Sequence, residues 1–300
     1  MKIAIAGGSG FIGTALTKQL IAKGHHVSIL TRQPKQKNSE QITYIPWLAD
    51  NHHPEVMLEG IDAFINLAGE SIAAKRWTAE QKERLLSSRV QTVSASQNIL
   101  KNIVKRPQVY INASAIGYYG FSLTKTFTEK SAPDKENFLT IVAKQWEADA
   151  KQAEQLGIRT VLLRFGLVLD KSAGALPKML LPYRLFIGGN LGSGRQWYSW
   201  IHLADCIGLI IHALEQEQVE GALNVTAPNP VTMLQFGQTL GSVLHRPHWL
   251  PAPAFALKLL LGEMSSLIIE GQKVLPEKAL ATGYQFKFPT IKEALEDLLT

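Results

Sequence analysis

The sequence predicts an α/β fold of the Rossmann type: a doubly wound parallel sheet with helices on both faces and a smaller C-terminal part that covers a substrate. Two observations support this prediction. A glycine-rich turn at residues 7–13 lies between a short apolar run and an amphipathic stretch. Segments typical of strands and of helices then alternate as far as residue 166, which is the pattern of a parallel sheet with crossover helices.

The elements can be assigned in order along the chain. Apolar runs predict strands at residues 2–6, 25–31, 42–47, 62–67, 107–114 and 159–163. Amphipathic stretches predict helices at residues 11–23, 78–104 and 137–156, of which the first and last end at a glycine. Beyond residue 166 the alternation loosens. A glycine-rich loop at 188–194 is followed by prolines from position 228 onward that punctuate short helices.

We therefore expect two domains. Residues 1–228 would form the Rossmann domain, with loops 170–200 contributing to the substrate cap, and residues 229–300 would form a small C-terminal domain. The hydrophobic fraction of 46% and the charged fraction of 19% are ordinary for a globular chain. The single cysteine, Cys206, excludes an internal disulfide.

Charge and hydropathy limit the partners that we expect. The net charge of +6 comes from scattered Lys and Arg without a basic cluster, which favours a small anionic ligand over nucleic acid. The apolar stretch at residues 255–261 is far shorter than the roughly 20 residues that cross a bilayer. We expect a cytoplasmic protein with a small-molecule substrate and with no nucleic-acid or membrane partner. A homodimer stays an open option.

The glycine-rich turn predicts a dinucleotide cofactor. Glycine is needed where the turn takes a positive φ, where backbone amides approach a phosphate, and where the helix packs on the first strand. Gly7, Gly10 and Gly13 meet these needs, and Phe11 and Ile12 begin the helix whose free amides would bind the pyrophosphate. The alternative is a glycine turn with a purely structural use.

The end of the second strand favours NADP(H) over NAD(H). A site for NAD usually has Asp or Glu there, where the carboxylate accepts hydrogen bonds from the ribose and would repel a 2′-phosphate. The sequence has Thr31 and Arg32 instead. A hydroxyl and a planar cation suit the extra phosphate. The alternative is that Arg32 is a solvated loop residue.

Several further motifs are similar to those of a known family. They are the glycine turn, Asn66-Leu67-Ala68-Gly69-Glu70, the stretch 114–120, and Trp200-Ile201-His202-Leu203-Ala204-Asp205. With them the chain resembles the extended and atypical short-chain dehydrogenase/reductases. It most resembles a subfamily of nucleoside-diphosphate-sugar epimerases that carries a small C-terminal domain of unknown function.

The resemblance implies roles for particular residues. Leu67, Ala68 and Gly69 would pass under the nicotinamide half of the cofactor, and Arg89 would approach it from the next helix. Val168 would lie near the nicotinamide, and Thr31 and Arg32 would flank the adenosine phosphate.

The catalytic set of that family is incomplete in this sequence. Its chemistry uses a Tyr with a Lys four residues later, so that the Lys charge helps the phenol exchange a proton. No tyrosine here has Lys at that spacing, although Lys144 lies in the expected region. We name Tyr118, Ser114 and Lys144 as candidate catalytic residues. Aromatic packing for Tyr118 and a solvated position for Lys144 are the alternatives.

Three residues are candidates for binding the substrate. Arg195 and Trp197 follow the flexible glycine loop, where a guanidinium and an indole suit an anionic group and a flat ring. Glu70, directly after Gly69, could bond the substrate or act as a base. The histidines lack the spacing of metal ligands, so we expect no metal.

Two functions from different classes fit these residues. The first is an NADP(H)-binding oxidoreductase or epimerase-like enzyme that acts on a small anionic substrate, a sugar nucleotide by family analogy, with a non-standard catalytic set. The second is a non-catalytic, NADPH-responsive regulatory or partner-binding protein. The missing Tyr and Lys pair favours the second function, and the loop with Arg195 and Trp197 favours the first.

Overall fold

A seven-stranded parallel sheet forms the centre of the molecule in a computed structural model that describes residues 1–32, 38–49 and 51–300. The strands are β1 (Lys2–Ala6), β2 (His26–Thr31), β3 (Ile42–Pro46), β4 (Ala63–Asn66), β5 (Val109–Ala115), β6 (Thr126–Phe127), β7 (Arg159–Phe165), β8 (Leu167–Leu169), β9 (Trp197–Tyr198), β10 (Trp200–His202), β11 (Gly221–Val225), β12 (Val231–Thr232) and β13 (Lys273–Val274). The helices are α1 (Phe11–Ala22), α2 (Pro54–Met57), α3 (Ala79–Asn102), α4 (Phe138–Ala150), α5 (Leu176–Arg184), α6 (Leu203–Glu215), α7 (Met233–Leu244), α8 (Ala254–Leu261), α9 (Ser266–Ile269), α10 (Glu277–Ala281) and α11 (Ile291–Leu299). None of the helices in these ranges is long and apolar enough to cross a membrane.

The strand order of the central sheet is β3-β2-β1-β4-β5-β7-β11, and all its neighbours pair in parallel. The order reverses between β1 and β4, because the chain builds the sheet outward from β1 first in one direction and then in the other. In sheets of this kind, ligands bind in the crevice at the carboxyl ends of the strands where the order reverses. The predicted fold class is confirmed.

Burial on both faces explains why the inner strands are almost continuously apolar. Ile3 and Ile5 pack in one hydrophobic cluster with α1 and α6, and Ala4 and Phe64 pack in another beside α3 and α4. A strand covered on both faces needs apolar side chains at successive positions rather than alternate ones. The two clusters are therefore the two helical layers of the fold.

The structure differs from the sequence prediction in two places. The helix predicted over residues 137–156 ends at Ala150 and continues as a tighter 3₁₀ helix over Lys151–Leu156. The short pairs β8 with β10, β9 with β12 and β6 with β13 were not predicted. Each strand of these pairs has only two or three residues, too few for a periodic pattern, and its partner lies far along the chain.

A buried carboxylate holds the C-terminal segment against the Rossmann sheet. Asp205, in the first turn of α6, accepts hydrogen bonds from the backbone amides of Lys287 at 2.8 Å and Phe288 at 2.9 Å. It also accepts one from the Tyr284 hydroxyl at 3.0 Å. The neighbouring His202 ring packs on the Phe288 ring, with 4.0 Å between centroids. These contacts fix the chain that leads into α11.

Removing this carboxylate should destabilise the fold without touching the crevice. We expect Asp205→Ala to lower the free energy of unfolding by about 3 kcal/mol, because it leaves buried backbone amides without an acceptor. Chemical denaturation followed by circular dichroism measures the loss. The control is Asp297→Ala, whose half-exposed carboxylate lies 3.2 Å from the His202 ring and should cost less than about 1 kcal/mol. Equal losses for the two variants would contradict this account of Asp205.

Candidate functional site

The glycine turn forms a tight cradle between β1 and α1. Gly7 has a φ of 79°, and its carbonyl oxygen accepts a hydrogen bond from the Gly10 amide at 3.0 Å. A Cβ atom on Gly13 would lie only 2.1 Å from that oxygen, so no other residue fits there. No side chain caps the start of α1 at Gly10, which leaves its first amides open to an anion.

The cradle is also pressed against the neighbouring strands. A Cβ atom on Gly7 would lie 2.8 Å from the carbonyl carbon of Leu67, and one on Gly8 would lie 2.9 Å from the Ile29 side chain. These approaches place the turn over the ends of β4 and β2. A backbone surface of this shape fits a pyrophosphate, so the residues present fit the dinucleotide that the sequence predicts.

A buried network of amides fixes the turn after β4. The Asn66 side-chain oxygen accepts a hydrogen bond from the Ala68 amide at 3.1 Å, and its Nδ2 donates to Oδ1 of Asn112 at 2.8 Å. The Tyr110 hydroxyl donates to the same Asn112 oxygen at 2.8 Å. The network holds the Leu67-Ala68-Gly69 backbone in one conformation. The sequence analysis assigned no role to Asn112, and its polar side chain in a buried strand was the available signal.

Arg89 lies beside that turn. A Cβ atom on Gly69 would contact the Arg89 stem at 3.6 Å, and the guanidinium donates to the carbonyl oxygens of Leu85 at 2.7 Å and Glu70 at 3.2 Å. The guanidinium also stacks over the Trp146 ring at 4.9 Å. Burial lowers the pKa of Arg89 to about 10, so the side chain is still charged at neutral pH. It is a fixed cation beside the turn after β4, and its predicted approach to the cofactor stays a prediction.

Glu70 is held by α3 rather than pointing freely into the crevice. Its Oε1 accepts a hydrogen bond from Gln81 at 2.9 Å, and Oε2 lies 3.6 Å from the Arg84 guanidinium. The Gln81 hydrogen bond and the neighbouring cations hold the pKa of Glu70 below its ordinary value. Its predicted role in binding substrate stays a prediction.

The Ser114 hydroxyl belongs to a buried ionic cluster. It donates to Oε1 of Glu147 at 2.7 Å, and the Arg164 guanidinium donates to both Glu147 oxygens at 2.7 Å. Arg164 also donates to the Tyr119 hydroxyl at 2.9 Å. Burial acts to lower the pKa of Arg164, but its bonds to Glu147 outweigh burial and raise it. The sequence analysis assigned no role to Glu147 or Arg164, although a charge within a buried strand was a visible signal.

The other two candidate catalytic residues are in different surroundings. The ring of Tyr118 is half-buried and lies over the Arg164 guanidinium, with 3.5 Å to the ring centroid. Lys144 lies on the exposed face of α4, where its ammonium pairs with Glu136 at 2.9 Å. The structure thus brings Ser114 and Tyr118 to one cluster and leaves Lys144 outside it.

Other residues of α4 form the face that packs against β5 and the segment after it, which leaves Lys144 on the outer face. Leu139 packs against Gly117, where a Cβ atom would lie 3.0 Å from the Leu139 Cβ, and the Thr140 hydroxyl donates to the Gly117 carbonyl oxygen at 3.2 Å. Ala143 is buried, and Glu147 reaches Ser114 from the same face. Leu139 and Ala143, four residues apart on this face, lie in the region where the family resemblance led us to expect a Tyr and Lys pair, and neither can titrate.

The remaining predicted cofactor residues lie around the cradle. A Cβ atom on Gly174 would lie 3.2 Å from the Phe11 ring and 3.4 Å from the Val168 carbonyl oxygen, so the chain after β8 covers the start of α1. Thr31 is the last residue of β2, and Arg32 after it is exposed. Ile12 packs against the core cluster beneath α1.

A cleft of about 450 Å³ opens beside the inner face of α4. It is lined by Trp77, Phe121, Asn137, Phe138, Leu139, Lys258, Gly262, Glu263, Ser265, Ser266, Ile269 and Glu270. Its lining joins the start of α3 and of α4 to the C-terminal segment around α9. The Lys82 ammonium pairs with Glu263 across the same junction.

The loop with Arg195 and Trp197 borders this cleft. The Gln196 side chain donates to the Ile268 carbonyl oxygen at 3.0 Å, next to Ile269 in the cleft lining. The Trp197 indole donates to the Leu123 carbonyl oxygen at 3.0 Å, and Lys273 stacks on its ring at 4.9 Å. Arg195 is exposed. Within residues 1–32, 38–49 and 51–300, no group of three or more His, Cys, Asp or Glu could hold a metal.

The fold and this crevice define a dinucleotide-binding protein of the short-chain dehydrogenase/reductase type. Residues 3–226 match the model of the NAD dependent epimerase/dehydratase family, and residues 252–298 match a domain of unknown function, DUF1731. The chain therefore belongs to the NAD dependent epimerase/dehydratase family, whose members bind NAD(P).

Relatives support this membership over the full chain. The chain is 48% identical over 299 residues to the epimerase family protein YfhF of Bacillus subtilis, covering 98% of that protein. The crystal structure of human epimerase family protein SDR39U1 (isoform 2) with NADPH is 35% identical, with a TM-score of 0.88 and 99% of each chain covered. A nucleoside-diphosphate sugar epimerase structure from Corynebacterium glutamicum is 27% identical with a TM-score of 0.80, covering all of this chain and 58% of the other.

Adding a single methyl group at Gly13 should test whether the glycine turn binds the cofactor. We expect Gly13→Ala to weaken binding of the cofactor more than about tenfold, because its Cβ would lie 2.1 Å from the Gly7 oxygen and force the turn open. Fluorescence titration with NADPH measures the affinity. Gly157→Ala is the control: unlike Gly13, this glycine has a positive φ, but nothing lies within 4 Å of an added Cβ, and the position is remote from the cradle. Equal affinities for the two variants would contradict the cradle.

Proposed function

We propose that this chain is an NADP(H)-binding oxidoreductase or epimerase-like enzyme that acts on a small anionic substrate in the cleft. One observation carries the proposal. The cofactor cradle lies against the carboxyl end of β4, and the cleft lies near the carboxyl end of the neighbouring strand β5. Leu139 lines the cleft and packs against Gly117, just after the carboxyl end of β5, and β5 pairs with β4 at the reversal of the sheet. A substrate in the cleft would lie beside the nicotinamide half of the cofactor.

The residues around the cradle support NADP(H). The amides before and at the start of α1 would bind the pyrophosphate, and Thr31 and Arg32 at the end of β2 would bind the adenosine phosphate without a carboxylate to repel it. Leu67, Ala68, Gly69, Arg89 and Val168 would border the nicotinamide half. When bound, the nicotinamide supplies or accepts a hydride at its C4 position. The similar human protein was solved with NADPH.

We assign proton exchange with the substrate to Tyr118. The Arg164 guanidinium lies 3.5 Å from the ring centroid and holds the ring just after the carboxyl end of β5. Glu147 holds Arg164 in place, and the Ser114 hydroxyl completes the same cluster. In this proposal Arg164 fixes the position of the phenol, and Lys144, which pairs with Glu136 in solvent, is not required.

The substrate class rests on the cations and aromatic rings around the cleft. Lys258 lines the cleft, and Arg195 and Trp197 lie in the loop that Gln196 ties to its wall. A guanidinium, an ammonium and an indole suit a phosphate or carboxylate joined to a flat or sugar ring. Glu70 would bind the substrate's polar groups only by exchanging its contacts with Gln81 and Arg84 on α3. The name of the Corynebacterium relative supports a sugar nucleotide.

A second function is favoured by the inner face of α4. Leu139 and Ala143 carry no group that exchanges protons, which suits a protein that binds NADPH and changes its interactions without turnover. A regulator of this kind would keep the cofactor cradle and have no need for Tyr118.

The preference between cofactors can be tested at Arg32. We expect Arg32→Ala to weaken NADPH binding more than about tenfold and NADH binding less than about twofold, because only NADPH has the 2′-phosphate. Competition titrations with both cofactors measure the ratio. The control is Arg106→Ala, another exposed arginine, which precedes the amino end of β5. An equal loss for NADPH and NADH would overturn the assignment to NADP(H).

Proton exchange by Tyr118 makes a kinetic prediction. We expect Tyr118→Phe to lower kcat by about a hundredfold or more, as loss of a general acid does, while the dissociation constant of NADPH stays unchanged. Lys144→Ala should change kcat less than about threefold, because its ammonium pairs with Glu136 on the exposed face of α4. A larger loss for Lys144→Ala than for Tyr118→Phe would return the catalytic role to Lys144.

The experiment that decides between the two functions has two steps. Tryptophan fluorescence first measures binding of NADPH and NADH to the full chain. Nucleotide sugars and small carbonyl compounds are then screened for oxidation of NADPH, and sugar products are analysed for epimerisation. Tight binding with turnover supports the enzyme. Tight binding without turnover on any compound supports the regulator, and no binding overturns both.

A further inference from the structure

Two segments of the chain contain all of its excess positive charge. Between Asp170 and Asp205 the sequence has Lys171, Lys178, Arg184 and Arg195 and no carboxylate. Residues 221–262 contain Arg246 and Lys258 and again no Asp or Glu. The chain has 31 Lys and Arg against 25 Asp and Glu, so these six cations account for the net charge of +6 and the rest is balanced. Lys and Arg are scattered along the sequence, but Asp and Glu are absent from both of these segments.

The same two segments expose large apolar side chains. Nine of the eighteen exposed large hydrophobic residues in the described ranges lie at positions 181–187 and 249–260. The most exposed are in α8, where Phe255 is 74% and Leu259 is 81% exposed, and these two lie on one helical face because they are four residues apart. No residue of α8 is buried. A soluble fold rarely leaves such a set uncovered without an interaction that uses it.

Hydrogen bonds hold the two segments side by side. The backbone amides of Trp249 and Leu250 both donate to the Gly188 carbonyl oxygen, at 2.8 and 3.1 Å. The Trp249 indole donates to the Phe186 carbonyl oxygen at 2.9 Å. Arg246 stacks on the Phe186 ring at 4.4 Å. We call the result the apolar-basic surface. Its six apolar members are Leu185, Phe186, Trp249, Phe255, Leu259 and Leu260, and Arg184 and Arg246 lie beside them in sequence. A backbone bridge between Leu191 and Ala252 continues the contact between the segments up to the start of α8.

We propose that the apolar-basic surface binds the face of an anionic lipid bilayer. Interfacial segments of this kind combine Trp, Phe and Leu, which enter the boundary of headgroups and acyl chains, with Lys and Arg, which meet the lipid phosphates. Each cation near an anionic membrane strengthens binding about fivefold. Neither segment contains a carboxylate that would be repelled, and Glu263, which directly follows the second segment, pairs with Lys82.

The charge argues against the other occupants. A second copy of the chain would meet this surface with the same surface in a twofold dimer, which brings cations against cations with no carboxylate between them. A membrane span is excluded for α8, since eight residues are far fewer than the roughly 20 required. The sequence analysis expected no membrane partner because it found no membrane-spanning segment. Contact with the surface of a bilayer does not require such a segment.

Vesicle binding by the full chain tests the proposal. Vesicles of phosphatidylcholine with and without phosphatidylglycerol are sedimented with the protein at low and high salt. We expect the protein to sediment with the anionic vesicles only, and high salt should weaken this binding.

The double variant F255S/L259S should bind the anionic vesicles at least about tenfold more weakly, because two exposed apolar side chains are lost. The control V56S/V104S changes side chains that are 74% and 92% exposed on α2 and after α3 and should bind as the unchanged chain does.

A second variant keeps the test decisive if the serine variant folds poorly. Reversing two cations in R184E/R246E should abolish binding to anionic vesicles, with circular dichroism as the check on folding. Equal binding to neutral and anionic vesicles, or none to either, would overturn the proposal. A dimer that forms with increasing concentration and is lost in F255S/L259S would also overturn it, in favour of a second copy.

Discussion

The buried ion pair between Glu147 and Arg164 is the interaction on which the rest of the site depends. Glu147 comes from α4 and Arg164 from β7, and both side chains are 5% exposed. Two charges removed from water are tolerated only when their hydrogen bonds are complete, and losing one partner of such a pair typically costs about 3–5 kcal/mol. Ser114 and Tyr119 supply the additional bonds, and Tyr118 stacks on the same guanidinium. The pair therefore fixes the strand ends where the cleft meets the cradle.

Local signals were enough to predict the central sheet. β1, β4 and the first half of β5 are largely apolar at successive positions because helices cover both faces, and β1 and β4 are followed by turns that contain glycine. The short strands after β7 could not be predicted in the same way. β8 pairs with β10, and β13 pairs with β6 across about half the length of the chain, so their stability comes from the finished fold and not from their own sequence.

The candidate site shows the same limit. The glycine spacing of the cradle was visible in the sequence because steric demands on a turn depend on residues close together. The cluster around Arg164 was not, since its members come from β5, α4 and β7 and only the fold brings them together. Lys144 lies in the region of the chain where the resemblance led us to expect a lysine, but its ammonium pairs with Glu136 in solvent. Each residue along a helix turns the direction of the side chain by about 100°, so a position in the right region can still face outward.

Asp205 has a consequence for how the chain is made. Its carboxylate is fully buried, yet the amide of Lys287 that binds it lies 82 residues later. During synthesis, α6 and the strands before it are made before residues 284–288, which donate these hydrogen bonds to the Asp205 carboxylate. A buried charge without partners is strongly unfavourable, so α6 cannot settle against the sheet in its final form at that stage. The order of translation thus makes the docking of residues 284–288 the step that lets the Rossmann half reach its full stability.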